Sequence, residues 1–295
     1  MIRFGPAGWD YPDWKGVVYP RSAPRGFDPL ARLARFFDVV EINSTFYRPQ
    51  RADVARAWCD RVAGRPRFRF TAKLWRRLTH EREAYGDDEV RQAREVLDAL
   101  AEERRLGAVL VQFPWSFRRD VASLEWLRDL FDVLSGLPLV VEVRHASWNV
   151  SETYAELAER GVGFVNVDQP LFRSSIRPSA IATAPVGYVR VHGRNYKDWF
   201  REKAGRDARY DYLYTAEELR PWAERTRELA AAPEVEDVYV VTNNHFEGQA
   251  VANAAMLAAM VEGRTVEVPP ELAARYAEAL APFAVPEPAQ QRPLL

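Results

Sequence analysis

The sequence predicts an α/β fold, a single (β/α)8 barrel of the TIM type. Eight short β-rich runs alternate with helical patterns, and eight such units within 295 residues is the arithmetic of that barrel. No Gly-x-Gly-x-x-Gly turn follows the first run, so the competing doubly wound open sheet lacks its usual mark. Polar residues also recur inside the runs at a spacing of two, as on strands that enclose a lumen.

The first run, Ile2–Gly8, is followed by a helical pattern over Asp28–Phe37. The second, Val39–Phe46, leads into Ala52–Val62, where Val54, Ala55, Trp58 and Val62 form an amphipathic stretch. The third, Arg67–Leu74, precedes the long pattern Asp87–Arg105. Ala108–Pro114 and Leu139–His145 flank Val121–Leu134, and Glu152–Arg160 leads to the sixth run, Gly163–Gln169. The weakest unit comes next, because Pro170–Pro185 has hydroxyl-rich stretches and no helical face. After the seventh run, Gly187–Gly193, the longest connection holds a charged, aromatic loop and then a helix over Ala216–Ala231. That helix is preceded by Thr215, which stands at capping-box spacing from Glu218. Val238–His245 and Gly248–Glu262 complete the barrel, which is expected to span residues 1–265, with a partly irregular extension over 266–295. The tail beyond Phe283 reads as disordered or pinned to the surface.

In such a barrel one face of each strand lies under helices and the other fills the lumen, so inward polar groups must be satisfied inside. Strand two alternates Val40 and Ile42 with Glu41 and Asn43; strand five alternates Val141 and Val143 with Glu142 and Arg144. Strand seven sets Val189 and Val191 against Arg190 and His192, and strand six sets Val165 and Val167 against Asn166 and Asp168. Strand three adds Arg69, Thr71 and Lys73, strand four adds Gln112, and strand eight ends in Asn243, Asn244 and His245. These groups are expected in the lumen, mostly near the C-terminal mouth where barrels carry their chemistry. They either form a self-neutralising plug, with Glu41, Glu142 and Asp168 against Lys73, Arg144 and Arg190, or serve a site.

Composition narrows the field. With 41 Lys+Arg against 42 Asp+Glu, a net charge of -1 argues against a surface given over to polyanion binding. Only four cations are lysines, Lys15, Lys73, Lys197 and Lys203, so a lysine is a better pointer than an arginine here. The single cysteine, Cys59, excludes an internal disulfide and a cysteine-rich zinc site, and reads as a small packed residue. No apolar run reaches the length of a membrane span and no basic, apolar leader precedes Ile2, so a cytoplasmic protein without membrane partners is expected. His145, His192 and His245 fall at strand ends and His80 lies just past strand three. Trp9, Trp14, Trp75, Trp115, Trp148 and Trp199 lie in strand-to-helix loops, where they cap the core or offer flat faces to a ligand.

Gly8-Trp9-Asp10-Tyr11, Val40-Glu41-Ile42-Asn43-Ser44-Thr45-Phe46-Tyr47 and Phe70-Thr71-Ala72-Lys73 occur in order along the chain. They are followed by Gln112-Phe113-Pro114, Val141-Glu142-Val143-Arg144-His145, Tyr188-Val189-Arg190-Val191-His192-Gly193-Arg194 and Asn243-Asn244-His245. Together they resemble the YecE-like family known as domain of unknown function 72, over roughly residues 2–262. That resemblance implies a single TIM-type barrel and supplies no activity.

The residues themselves suggest a hydrolase or lyase acting on an anionic, phosphate-bearing substrate. Lys73, Arg144, Arg190 and Arg194 would bind the anion, with Asn43, Gln112, Asn243, Asn244, His245, Trp9, Trp148 and Tyr212 as further contacts. Glu142 or Glu41 would act as base, His192 and His145 would carry protons, and Asp168 is a further acid. No cofactor is predicted. By fold analogy a divalent metal on Glu142, Asp168 and His192 is a variant, although no metal-binding spacing such as His-Glu-x-x-His is present. A glycosidase-like pair, Glu41 and Glu142, would need a carboxylate separation of roughly 5–9.5 Å. A non-catalytic alternative binds a nucleotide or single-stranded nucleic acid through Tyr210, Tyr212, Tyr214 and the arginines Arg76, Arg77 and Arg82.

Overall fold

The structure, a computed structural model, describes residues 1–199, 201 and 209–288. Its strands are β1 (Ile2–Pro6), β2 (Val39–Ile42), β3 (Arg69–Lys73), β4 (Leu106–Gln112), β5 (Leu139–Glu142), β6 (Gly163–Asp168), β7 (Val186–Val191) and β8 (Asp237–Thr242). All of their pairings are parallel, in the order β1-β8-β7-β6-β5-β4-β3-β2. A parallel bridge between Ala7 and Glu41, with Gly8 N–H donating to the Glu41 carbonyl at 2.8 Å, joins β1 to β2 and closes the barrel. Gly5 makes this seam possible, since a Cβ there would stand 1.8 Å from the Val39 carbonyl oxygen.

The outer helices are α1 (Pro29–Leu33), α2 (Ser44–Tyr47), α3 (Ala52–Arg61), α4 (Asp87–Glu102), α5 (Val121–Val133), α6 (Ser151–Glu159), α7 (Ala216–Ala231) and α8 (Gln249–Glu262). Asp28 caps α1 by accepting from the Leu30 and Ala31 amides, and Thr215 with Glu218 forms the expected capping box of α7. Residues 169–185 contain no helix, as their composition suggested. The second β-rich run is shorter than expected. Its last residues, Ser44–Phe46, turn into α2, where the Thr45 hydroxyl donates to the Lys73 carbonyl at 2.7 Å.

The extension holds β9 (Val266–Val268), α9 (Pro270–Arg275), α10 (Ala277–Leu280) and β10 (Ala284–Pro286), with β10 parallel to β9. Glu287, just past β10, pairs with Arg32 at 2.6 Å and with Arg35, which pins the chain end to α1. The rest of the tail, 289–295, lies outside the described residues. Among the described residues no helix is long and apolar enough to cross a membrane. Cys59 is buried in α3, and burial followed by the charge of Glu103 pushes its thiol up to about 11, consistent with a packed residue.

Two apolar layers sandwich the strands. The large one lies between strands and helices; the small one fills the lumen with Val39, Ala108, Leu110, Val140, Val165, Val167, Tyr188, Tyr239 and Val241. This layer corrects the phase expected for β6. Val165 and Val167 face inward, so Asn166 and Asp168 point toward the outer layer. There the Asn166 amide donates to the Ile181 carbonyl at 3.0 Å, and Asp168 accepts from Trp222 Nε1 on α7 at 2.7 Å.

Candidate active site

Above the lumenal valines the inward residues of β2, β5 and β7 form one buried ion network. Arg190 donates through Nε and Nη2 to Glu41 at 2.9 and 2.6 Å, and through Nη1 to Glu142 Oε2 at 3.0 Å. Its guanidinium thus lies between the two carboxylates, where a glycosidase would hold its sugar. Glu142 Oε1 accepts from Arg144 Nε and Nη2 at 3.0 and 2.9 Å, and Glu41 Oε2 also accepts from the Tyr188 hydroxyl at 3.0 Å. Tyr188 in turn meets the Thr71 hydroxyl at 2.9 Å.

His192 completes the network. Its Nε2 lies 3.1 Å from Glu142 Oε1, 3.2 Å from Arg190 Nη1 and 3.3 Å from Arg144 Nη2; the carboxylate, which can only accept, favours a ring proton on Nε2. Nδ1 is then the acceptor for the Asn243 amide at 3.0 Å. Burial, with Arg144 and Arg190 nearby, lowers His192 to about 3 despite the Glu142 carboxylate, so the ring is neutral at pH 7. Burial also opposes the charge of Glu142, but contact with His192, Arg190 and Arg144 more than reverses this and holds its carboxyl well below the usual range. Glu41, Glu142, Arg190 and His192 are all essentially inaccessible to solvent.

Lys73 differs from every other charge in the lumen. Among the described residues its ammonium makes no hydrogen bond or ion pair; it lies 4.0 Å from the centre of the Phe46 ring and is partly accessible. Burial first, then the charge of Arg190, lowers its pKa to about 7, with Glu41 and Glu142 opposing and Arg144 adding. His80 meets the same Phe46 ring edge to face, its ring centre 4.8 Å away, and is lowered to about 3 by burial and by Lys73, Arg144 and Arg76. Arg144 is 15% exposed, with its guanidinium carbon 5.5 Å from the centre of the Trp199 ring, and Trp199 also meets His192 edge to face at 6.2 Å.

The other expected residues fall elsewhere. Asp168 is bound by Arg194 through Nε and Nη2, the shortest contact being 2.8 Å, and by Trp222; with Tyr214 and Glu218 this makes a second network outside the lumen. Arg194 is therefore engaged on the outer side, and the Tyr212 hydroxyl donates to Glu218 beside it. His145 accepts from the Ser147 amide at 3.1 Å as the cap of a short turn, away from Glu142. Trp148 is fully buried, stacked on Phe117 with its Nε1 donating to the Phe117 carbonyl at 2.9 Å, so it offers no face to a ligand. Asn244 donates to the Tyr212 carbonyl and to Asn253, both at 2.8 Å, and His245 is stacked on Tyr11 with ring centres 4.4 Å apart. Gln112 donates to the Phe113 carbonyl at 3.1 Å. Trp9 and Asn43 border a separate surface cavity of about 480 Å³ with Tyr11, Tyr47, Trp58 and Arg61.

Among the described residues no three His, Cys, Asp or Glu side chains converge as metal ligands, and Asp168 is in a different network from Glu142 and His192. The three residues suggested for a metal therefore do not form one site. Tyr188 escaped the sequence-based site, while Thr71 was read only as a lumenal group and Trp199 only as one of six loop tryptophans. Tyr188 shares the two-residue phase of Arg190 and His192, a signal that was available; for Trp199 the loop position was a signal, but nothing set it apart from the other loop tryptophans.

The family described as "Protein of unknown function DUF72" matches residues 3–277. The chain belongs to the DUF72 family. Among its relatives is the UPF0759 protein YunF of Bacillus subtilis (strain 168), 27% identical over 86% of this chain and 92% of that one. Another is the UPF0759 protein YecE of Escherichia coli O157:H7, 27% identical over 69% of this chain and 67% of that one. Among solved structures, a DUF72 family protein from Thermotoga maritima MSB8 is 34% identical with a TM-score of 0.75, covering 89% of this chain and 99% of that one. A second, from Enterococcus faecalis V583, is 22% identical with a TM-score of 0.76 over 89% and 96%, and shares the fold. The resemblance read from the motifs is thus a membership, and the barrel is common to the DUF72 structures.

Proposed function

We propose that this DUF72 chain is an enzyme, a hydrolase or lyase, acting on a small phosphate-bearing substrate at the C-terminal mouth of the barrel. The carrying observation is an imbalance of partners. Both lumenal carboxylates are consumed by guanidiniums, the Tyr188 hydroxyl and an imidazole, while Lys73 keeps no counter-ion among the described residues. A site built to neutralise itself would have spent an acid on that ammonium. An anion supplied from solution would balance that ammonium, with Lys73 and the accessible edge of Arg144 as its contacts.

In this reading Glu41, Glu142 and His192 are positioning residues. They hold Arg144 and Arg190 in fixed directions, and the chemistry falls to groups that a substrate can touch, foremost Lys73. Calorimetric titration with inorganic phosphate and pyrophosphate tests the binding step. Binding that weakens at least tenfold in both Lys73→Met and Arg144→Met, and weakens with salt, is the expected result. No heat of binding to the unaltered protein at low salt would remove the reading.

A further inference from the structure

We propose that Lys73 is an imine-forming nucleophile for aldehydes or ketones that carry a phosphate or carboxylate group. The proposal rests on the reading of the mouth as an anion site and names the reacting half of the substrate.

A lysine attacks a carbonyl only through its neutral amine, and an exposed lysine keeps roughly 0.03% of that form at pH 7. The surroundings of Lys73 weaken the hold on its proton: Glu41 and Glu142 still favour the ammonium, but both are engaged by other groups. Glu41, from β2, is taken on both oxygens by Arg190 and Tyr188; Glu142, from β5, is taken by Arg144, Arg190 and His192. Arg190 from β7 and Arg144 beyond β5 repel the ammonium, and His80, the titratable ring that meets Phe46 edge to face, stays neutral. Burial and neighbouring cations each activate a lysine, and both act on Lys73 against the attraction of the Phe46 face for its ammonium. With its pKa near 7, the free-amine fraction at neutral pH rises by about a thousandfold. Access is the remaining requirement. Lys73 is partly exposed, whereas the ionised and imidazole groups beneath it are sealed.

The step balances without any other co-reactant. The Nζ lone pair forms a bond to the carbonyl carbon while the carbonyl π pair moves to oxygen, which is protonated from solvent as nitrogen loses a proton. The resulting carbinolamine takes a second proton from solvent and expels its hydroxyl as water, leaving a protonated C=N bond. The sum is amine, carbonyl compound and one proton giving iminium and water, and hydrolysis reverses it. The iminium charge then stands where the ammonium stood, so the phosphate or carboxylate keeps its partner.

Reductive trapping on the full chain tests this. The probe is glycolaldehyde phosphate, with neutral glycolaldehyde in parallel, and borohydride supplies the hydride that converts the C=N bond into a stable amine. Only Lys15, Lys73, Lys197 and Lys203 carry side-chain amines, so peptide mass spectrometry assigns each adduct. Lys73 is expected to be trapped at least tenfold faster than Lys15 and Lys197 at pH 7, to respond half-maximally near pH 7, and to prefer the phosphorylated probe. Trapping at Lys73 no faster than at Lys15 and Lys197 would overturn the imine proposal, even if phosphate binds in the calorimeter. Fast trapping at Lys73 that ignores the phosphate would keep the imine and remove the anion site. Because the assignment is made on the unaltered protein, it does not depend on a variant folding; in Lys73→Arg the trapping is expected to vanish from that peptide.

Discussion

Arg190 grips Glu41 with two parallel hydrogen bonds, at 2.9 and 2.6 Å, across a lumen from which both side chains exclude water. Bidentate geometry of this kind is what makes a buried pair tolerable, because each charge finds its compensation in a fixed direction. The same guanidinium also serves Glu142, so one residue balances two strands. Removing it would leave Glu41 without an ion partner and Glu142 with Arg144 as its remaining one. Arg190→Met is expected to cost about 3–5 kcal/mol of stability, measured by urea unfolding, and Glu41→Gln in the same chain should recover part of that loss.

A milder change tests the floor of the network. Tyr188→Phe keeps the ring in the lumenal layer and deletes only the hydroxyl between Thr71 and Glu41. We expect a loss of about 1–2 kcal/mol and, in the calorimetric titration, phosphate binding within twofold of the unaltered protein.

Acid should unfold this protein through identifiable groups. His192 and His80 bind protons only near pH 3 when folded but near 6.5 when unfolded, so the unfolded chain takes up protons first as pH falls. Stability therefore declines from about pH 6.5 downward. Glu142, held well below its ordinary 4.5, adds to the decline at lower pH. The urea midpoint should fall steadily between pH 7 and pH 4, and a midpoint that stays flat across that range would contradict these shifts.

Lys73 predicts the opposite surprise, a substitution that stabilises. Its proton is held at about 7 in the folded chain and at an ordinary 10.5 in the unfolded one, so it costs stability below pH 7 and the cost fades as pH rises to 10.5. Lys73→Met is expected to melt above the unaltered protein at pH 6, with the difference shrinking by pH 10. Equal melting temperatures at pH 6 would speak against the missing counter-ion.

Asp168→Asn separates the two networks. It weakens the contacts to Arg194 and Trp222 and is expected to cost about 1–3 kcal/mol, while phosphate binding at the mouth stays within twofold. A large loss of binding with an intact fold would return Asp168 to the site.

The eight strands were readable because short apolar runs and helical patterns alternate so regularly. The phase of β6 was not, since both of its faces are buried and polar residues on either face find partners: Asn166 and Asp168 are satisfied by Ile181, Arg194 and Trp222 as fully as Glu142 is by arginines. A period of two says that a strand has two faces without saying which one looks inward. The histidines teach the same lesson. All four sit near strand ends, yet only His192 joins the lumenal network, while His145 caps a turn and His245 stacks on an aromatic ring. Loop tryptophans were ambiguous for a related reason, because Trp14 and Trp148 hide in loops by donating to the carbonyls of His245 and Phe117. Lys73 was visible as a lysine at a strand end, but its isolation depends on which acids the arginines claim, and that is a property of three dimensions.

Glu41 belongs to two structures at once. Its carbonyl accepts the Gly8 amide that joins the first strand to the second, and its carboxylate is the arm held by Arg190. In mechanical language it is the clasp of a hoop, and the lock on that clasp is the ion network itself. Any breathing of the hoop at this joint would tug on Arg190 and, through Glu142, on Arg144 at the rim. The exchange rate of a single backbone hydrogen, that of Gly8, would therefore serve as a gauge of how tightly the mouth is held.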